Sequence, residues 1–244
     1  MNKVLVIGDS CTDIFVYGDI ERISPEAPVP VIKPLRKTEN PGMARNVKHN
    51  LEALGVDTDI ITNSNHIRKT RYVDDKSNQM VLRVDEHDCC NRIKNLETTD
   101  LGLYDAIIIS DYCKGFLSEK DIEYICNKYN NVFVDTKKQL GNWILDANFI
   151  KINHLEHKKN FETIPNYPKL EDKLIVTKGK NGCVYMGNKF DVEEVPVKDV
   201  SGAGDTFLAG LVVEYLKTND IEKSIKFAQE CTTKVVQKHG VTTI

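Results

Sequence analysis

Short, uninterrupted apolar runs recur along the chain: KVLVIGD (3–9), DAIIISD (105–111), NVFVD (131–135), NFIKIN (148–153) and KLIVTKG (173–179). Each has the length of a strand and ends on polar or glycine residues. A strand that is apolar on both faces belongs to a sheet covered on both sides. Between these runs the period changes to that of a helix. Ala44, Val47, Leu51 and Leu54 share one face that stops at Gly55; Ser118 stands at the cap of a segment carrying Ile122, Ile125 and Tyr129; Phe207, Leu208, Leu211 and Val212 follow a glycine-rich start. Buried strands alternating with amphipathic helices predict an α/β fold, a mostly parallel central sheet flanked by helices. Ligands of such sheets bind beyond the carboxyl ends of the strands. Those ends here are Gly8-Asp9, Ser110-Asp111, Asp135, Asn153 and Thr177-Lys178-Gly179, a polar set at the mouth of an apolar sheet.

Two segments break the alternation. Residues 17–37, with prolines at 25, 28, 30 and 34, and residues 69–85, with a polar turn near 75–78, read as extended ribbons outside the main sheet. Together they predict a small β lid of the kind that closes over a substrate and excludes water.

Composition narrows the class. A chain of 244 residues suits one domain spanning 1–244 with a sizeable core. With 41% hydrophobic and 28% charged residues and a formal charge of -3, it has neither the basic surplus of a nucleic-acid binder nor the composition of a disordered chain. The first apolar run is too short for a signal peptide and none approaches membrane-spanning length, so a cytoplasmic protein with no membrane partner is expected. Seven scattered cysteines without a C-x-x-C pair read as reduced thiols, with Cys113 a small filler residue, and support neither a zinc site nor a disulfide framework.

Candidate chemistry concentrates in DVSGAGDTFLAG (199–210). Small residues opening a helix leave N–H groups bare, and such an end attracts anions. Taken alone, Asp205 could be only a carboxylate that favours a helix start. Its neighbourhood says more. The stretch resembles the signature of the ribokinase-like (PfkB) carbohydrate kinases, and Asn153-His154-Leu155-Glu156 and VTKGKNG (176–182) match that family's N-x-x-E motif and nucleotide-side turn in order and spacing. ERISPEAPVPVIK (21–33), the PG…N of NPGMARNV (40–47), LRVD (82–85), SDYCKG (110–115) and VDTKK (134–138) resemble one branch, the D-glycero-β-D-manno-heptose-7-phosphate kinases.

The resemblance implies a ribokinase-like fold and an ATP- and magnesium-dependent transfer of a phosphoryl group to a sugar hydroxyl, the anomeric one of a heptose 7-phosphate. It implies Asp205 as the base, with Gly202, Ala203 and Gly204 forming the anion hole beside it. Asp13, Gly42, Asn46, Asp111 and Asp135 would hold the sugar, and Arg83 and Lys114, with Lys69 and Arg71, its phosphate. Asn153, Glu156, Thr177, Lys178, Gly179 and Gly182 would serve the nucleotide, Glu156 meeting magnesium through water. It implies a homodimer joined through the lid. No nucleotidyltransferase domain follows Ile244, so the kinase alone is expected.

Other readings stay open on the residues themselves. Asp13 could cap a turn or helix, Asn46 could be an ordinary polar residue, and His154 and His157 read as solvent-facing. The chain also departs from the branch. Met43 and Arg45 replace a glycine and an alanine, Thr136 and Lys138 replace a proline and a glycine, and a helix and strand are missing before the second lid ribbon. Methionine adds bulk where backbone freedom helps a lid move. A kinase for another sugar or sugar phosphate, or a sugar- and nucleotide-binding homologue without turnover, are the alternatives. A GxGxxG dinucleotide site fits poorly because GDSCTD lacks the glycines.

Overall fold

The computed structural model describes residues 2–238 and 240–244. From the N-terminus the chain forms β1 (Lys3–Gly8), passes through the single residue Asp9 into β2 (Ser10–Ile23), and returns as β3 (Pro30–Met43). Then come α1 (Ala44–Ala53), β4 (Asp57–Thr62), β5 (Ile67–Asp74) and β6 (Met80–Glu86). The predicted alternation takes over with β7 (Ala106–Asp111), α2 (Glu119–Lys128), β8 (Val132–Thr136), β9 (Phe149–Asn153), α3 (His154–Lys159) and β10 (Leu174–Thr177). The hairpin β11 (Cys183–Tyr185) and β12 (Asn188–Phe190) precedes two long helices, α4 (Ala203–Thr218) and α5 (Ile221–Val235).

The central sheet has the order β12-β11-β10-β9-β8-β7-β1-β4. It is parallel from β4 to β10, and β11 and β12 are antiparallel. Side chains of one strand point alternately to its two faces. Val4, Val6, Ile108 and Phe133 thus meet α1, α4 and α5 through Val47, Leu51, Leu211, Val212 and Ile225. Leu5, Ile7, Ile107, Ile109 and Val134 meet α2 and irregular segments through Ile122, Ile125, Trp143 and Leu170 on the other face. Each such side chain, fully buried, contributes about 1.5–3 kcal/mol of transfer free energy. Residues Asp205 to Val213 of α4 are buried without a break, so this helix is enclosed on all sides and its first turn is held rigidly at the sheet mouth. Ser118 caps α2, as the sequence implies.

The lid is a four-stranded sheet of order β3-β2-β5-β6, and it is longer than the ribbons 17–37 and 69–85 suggest. β2 begins only one residue after β1, at Ser10, and β3 runs on to Met43. Pro25 and Pro28 lie in the turn between the two strands, while Pro30, Pro34 and Pro41 sit on β3, a sheet edge, where a missing N–H costs little. Phe15, Tyr17 and Val73 on the inner face pack with Val241 of the C-terminal segment, which seats the lid on the main domain.

Candidate active site

The start of α4 is shaped by two glycines with different constraints. Gly202 takes φ 79°, and a Cβ there would stand 2.5 Å from the Asn46 side-chain nitrogen; a Cβ on Gly204 would stand 2.9 Å from Lys151 Nζ. The N–H of Ala203 donates to the Val200 carbonyl at 3.2 Å. Those of Gly204 and Asp205 meet no acceptor among the described residues, so two donors stand open at the helix start. With the positive end of the helix dipole behind them they form an anion-attracting concavity. The buried Lys151 ammonium lies directly against it.

Asp205 is 3% exposed. Its Oδ2 accepts from Asn46 Nδ2 at 2.9 Å and its Oδ1 from the Tyr112 hydroxyl at 2.7 Å. Burial pushes its carboxyl up to about 6, against the lowering effect of these two hydrogen bonds; the nearby Asp135 raises it further and Lys151 opposes. Asn46 is locked in turn, since Asn50 Nδ2 donates to its Oδ1 at 3.2 Å and to its backbone carbonyl at 2.9 Å, and the Thr206 hydroxyl donates to Asn50. Burial, then the charge of Asp205, raise the Tyr112 phenol well above its ordinary value, so it stays protonated as a donor. The loop carrying Tyr112 wraps around Asp9, whose buried carboxylate accepts the N–H groups of Tyr112 (2.7 Å), Phe116 (3.2 Å) and Lys114 (3.3 Å).

Beside Asp205 a cavity of about 380 Å³ opens beneath the lid. Asp13 and five cations, Lys69, Arg71, Arg83, Lys114 and Lys137, face it. Asp13 lies in β2, which rules out a helix or turn cap, and it is held by Arg71 at 2.5 Å. Gly42 lies across from it; a Cβ there would come within 2.1 Å of Asp13 Oδ2. Asp85 takes both arms of Arg83 at 2.7 Å, and Asp88 bridges Lys69 (3.5 Å) and Lys114 (2.5 Å). Met43 forms part of the wall with φ 58° and ψ -131°, backbone territory that suits glycine. The glycine of the heptose-kinase pattern therefore has a physical reason, and this chain holds a methionine there against strain.

A second cavity, about 110 Å³, lies on the other side of the α4 start. Thr177, Gly179 and Gly182 face it together with Ala203, Gly204 and Phe207. Gly182 has φ 73°, and a Cβ would meet the Phe190 carbonyl oxygen at 1.9 Å. Lys178 is exposed and does not face this cavity. The N-x-x-E motif is a capping box: Asn153 Oδ1 accepts from the N–H groups of Leu155 and Glu156, both at 2.9 Å, and Glu156 Oε2 accepts from the Asn153 N–H at 2.8 Å. Glu156 Oε1 faces Lys137 Nζ at 2.9 Å. Those two contacts outweigh burial and hold the Glu156 carboxyl below its usual range. Among the described residues no cluster of three or more His, Cys, Asp or Glu side chains could hold a metal. A single ionised carboxylate suits a magnesium ion that keeps its waters and takes its other ligands from phosphates.

Three of the sugar-binding candidates, Asp111, Asp135 and Asn46, do not face the cavity. Asp111 is 1% exposed and does not face the cavity; Lys138 holds both its oxygens at 2.8 Å and the Thr136 hydroxyl donates to it at 2.6 Å. Thr136 and Lys138, the two departures in VDTKK, thus serve one buried carboxylate. Asp135 also stays out of the cavity, paired with Lys151 at 2.6 Å. Asn46 reaches Asp205 rather than the cavity. Sequence reasoning passed over Lys151 and gave no role to Tyr112 or to Asp9, which it had placed only among the polar strand ends. The signal for Lys151 was a lone charge inside the apolar run IKIN, since a lysine is seldom buried unless paired. Tyr112 sat in the quoted SDYCKG without a role.

Residues 43–244 match the model of the pfkB family of carbohydrate kinases. The bifunctional protein HldE of Helicobacter pylori (strain Shi470) is 29% identical over 298 aligned positions, which take in 98% of this chain. The chain spans 64% of that relative's length. Ribokinase from Thermotoga maritima superposes with a TM-score of 0.72 at 16% identity, covering 99% of this chain and 95% of that one. Ribokinase of Arabidopsis thaliana, complexed with ribose and ATP, gives 0.69 at 15% identity, covering 98% and 94%. The fold is ribokinase-like.

Proposed function

The chain belongs to the pfkB family of carbohydrate kinases, and from that premise we propose that it transfers the γ-phosphoryl group of ATP to a hydroxyl of a phosphorylated sugar, the anomeric hydroxyl of D-glycero-D-manno-heptose 7-phosphate. One observation carries the reaction. The two cavities meet across five consecutive residues: Ser201, Gly202 and Asp205 face the one under the lid, Ala203 and Gly204 the other. A phosphoryl group handed from one cavity to the other passes the start of α4.

The chain's own residues then divide the work that phosphoryl transfer requires. Asp205 takes the proton of the sugar hydroxyl through Oδ1, the oxygen that Tyr112 of the same cavity holds. The open N–H groups of Gly204 and Asp205, with Lys151 against Gly204, neutralise charge that grows on the transferred group. Glu156 would hold, through water, a magnesium ion, which would supply neutralisation of the phosphate charge. Asp13, in the same cavity as Asp205, accepts sugar hydroxyls, and Lys69, Arg71, Arg83 and Lys114 hold the phosphate that the sugar already carries, because charge-assisted bonds are the stronger ones. Five cations around one cavity support a phosphorylated acceptor. The heptose assignment rests on the ERISPEAPVPVIK, LRVD and SDYCKG resemblance and on the HldE relative. Met43 in the cavity wall favours a second reading, another sugar phosphate of altered shape.

The test is ADP release with ATP, magnesium and a panel of sugars and their phosphates. A phosphorylated heptose is expected to give the highest kcat/KM and to exceed its unphosphorylated parent strongly. Equal efficiency on the two, or no ADP with any acceptor, overturns the proposal.

A further inference from the structure

We propose that Tyr112 is the positioning residue of the base: its hydroxyl holds Oδ1 of Asp205 on the cavity side and aims that oxygen at the incoming sugar hydroxyl. The inference rests on the reading of Asp205 as base.

The two carboxylate oxygens are held in unequal ways. Oδ2 is bound by Asn46, and Asn46 is fastened through Asn50 to Thr206 in a chain whose members are at most 1% exposed. Asn46 itself does not face the cavity. Among the described residues Oδ1 is bound only by Tyr112, and Tyr112 does face the cavity. A sugar hydroxyl reaching Asp205 therefore arrives at Oδ1 and meets the phenol oxygen there. A phenol has one hydrogen to give and lone pairs to receive with, so Tyr112 can hold Oδ1 and accept from a second hydroxyl at once.

Tyr112 is itself tied from two sides. Its N–H is on Asp9, and the Lys137 ammonium lies 4.6 Å from its ring centroid while bonded to Glu156. The base is thereby linked through one aromatic ring to the carboxylate of the N-x-x-E motif. The titratable and charged groups that act on Asp205 are Tyr112 from the loop after β7, Lys137 from the loop after β8, Asp135 of β8, Lys151 of β9 and Cys11 of β2, and Asp13, Lys69, Arg71, Arg83 and Lys114 face the same cavity. Among the described residues only Tyr112 and Asn46 hydrogen-bond its side chain. Taking away the phenol removes a donor that favours the ionised carboxylate. The proton should then bind Asp205 more tightly.

The experiment uses the whole chain labelled with carboxyl-13C aspartate. The Asp205 resonance is identified by its absence from Asp205→Asn, and its titration is followed by NMR in the parent and in Tyr112→Phe, which keeps the ring beneath Lys137. The midpoint is expected to rise by about one pH unit, the scale of one charge-assisted hydrogen bond. The acid limb of kcat/KM for the best acceptor of the panel should rise with it, and turnover should recover at higher pH. An unmoved midpoint overturns the proposal, whatever happens to turnover, since a merely structural tyrosine would lower activity without moving the titration. If Asp205→Asn turns over like the parent, the base reading fails, while a moved midpoint still upholds the contact. Should Tyr112→Phe not fold, 3-fluorotyrosine at position 112, a stronger donor, should lower the midpoint, and no change there overturns the proposal equally.

Discussion

Asp205 stands in the first turn of a helix and, in the proposed reaction, takes a proton, and one substitution separates the two tasks. Asp205→Asn keeps the shape and the bare N–H groups but loses the basic oxygen. A fall of about 10²–10⁴-fold in kcat is expected, with ATP affinity changed far less. A carboxylate that only favoured the helix start would instead cost about 0.3–1 kcal/mol of stability and leave turnover intact. Thermal unfolding and steady-state kinetics on the same sample decide. Because the carboxyl stands at about 6 and must be ionised to act, kcat/KM in the parent is expected to fall as pH drops through about 6 and to level off above it. The same raised value means that the folded protein binds this proton before the unfolded chain does, so this group's contribution to stability grows as pH falls from about 6 towards the ordinary 3.8, is complete below that, and is lost as pH rises through about 6. Asp205 and its glycines were legible because the motif is contiguous. The residues that tune it are not: Asn46, Tyr112 and Lys151 lie far apart in the chain, and only folding puts them around one carboxylate.

At the scale of elements, β8 and β9 place Asp135 and Lys151 in direct register, and their side chains join in a site where both are about 5% exposed. Breaking one half strands the other. Lys151→Met is expected to destabilise the protein by about 3–5 kcal/mol, because an unpaired carboxylate is left buried. Lys151→Met combined with Asp135→Leu should recover most of that in thermal unfolding while turnover stays low, since the charge beside Gly204 is gone. If the double variant turns over normally, Lys151 does not serve the transferred phosphoryl group. The elements of the central sheet were legible for a simple reason, as strands buried on both faces read as solid apolar runs. The lid was misjudged at its edges because GD looks like a strand terminus and prolines look like breakers. Here Asp9 is the only residue between β1 and β2, and a proline-bearing strand is tolerated at a sheet edge.

The molecule as a whole leaves apolar side chains in the open along the lid: Ile23 (60%), Leu35 (59%), Leu82 (55%) and Met80 (53%). Exposed apolar side chains on the lid strands suit a second copy of the same sheet, in keeping with the dimer expected through the lid. Mass measurement at micromolar concentration should give a dimer in the parent and a monomer in Leu82→Asp; a monomeric parent rejects this assembly. The meeting of two cavities at one helix start was legible only as a family trait, since no local pattern reports which loops converge. The place of β1 in the sheet has a further consequence, for the order in which the chain acquires its shape. Val4 pairs with Thr58 on one side and Ala106 on the other, so the lid strands and α1 lie within the loops those pairings must close. The β2–β3 hairpin and the run from β7 to β10 join near neighbours in sequence and close short loops. Loop-closure entropy therefore lets the lid hairpin and the C-terminal half of the sheet organise first, and makes the docking of the opening strand a late step, the one that brings Asp9 beneath the loop of Tyr112.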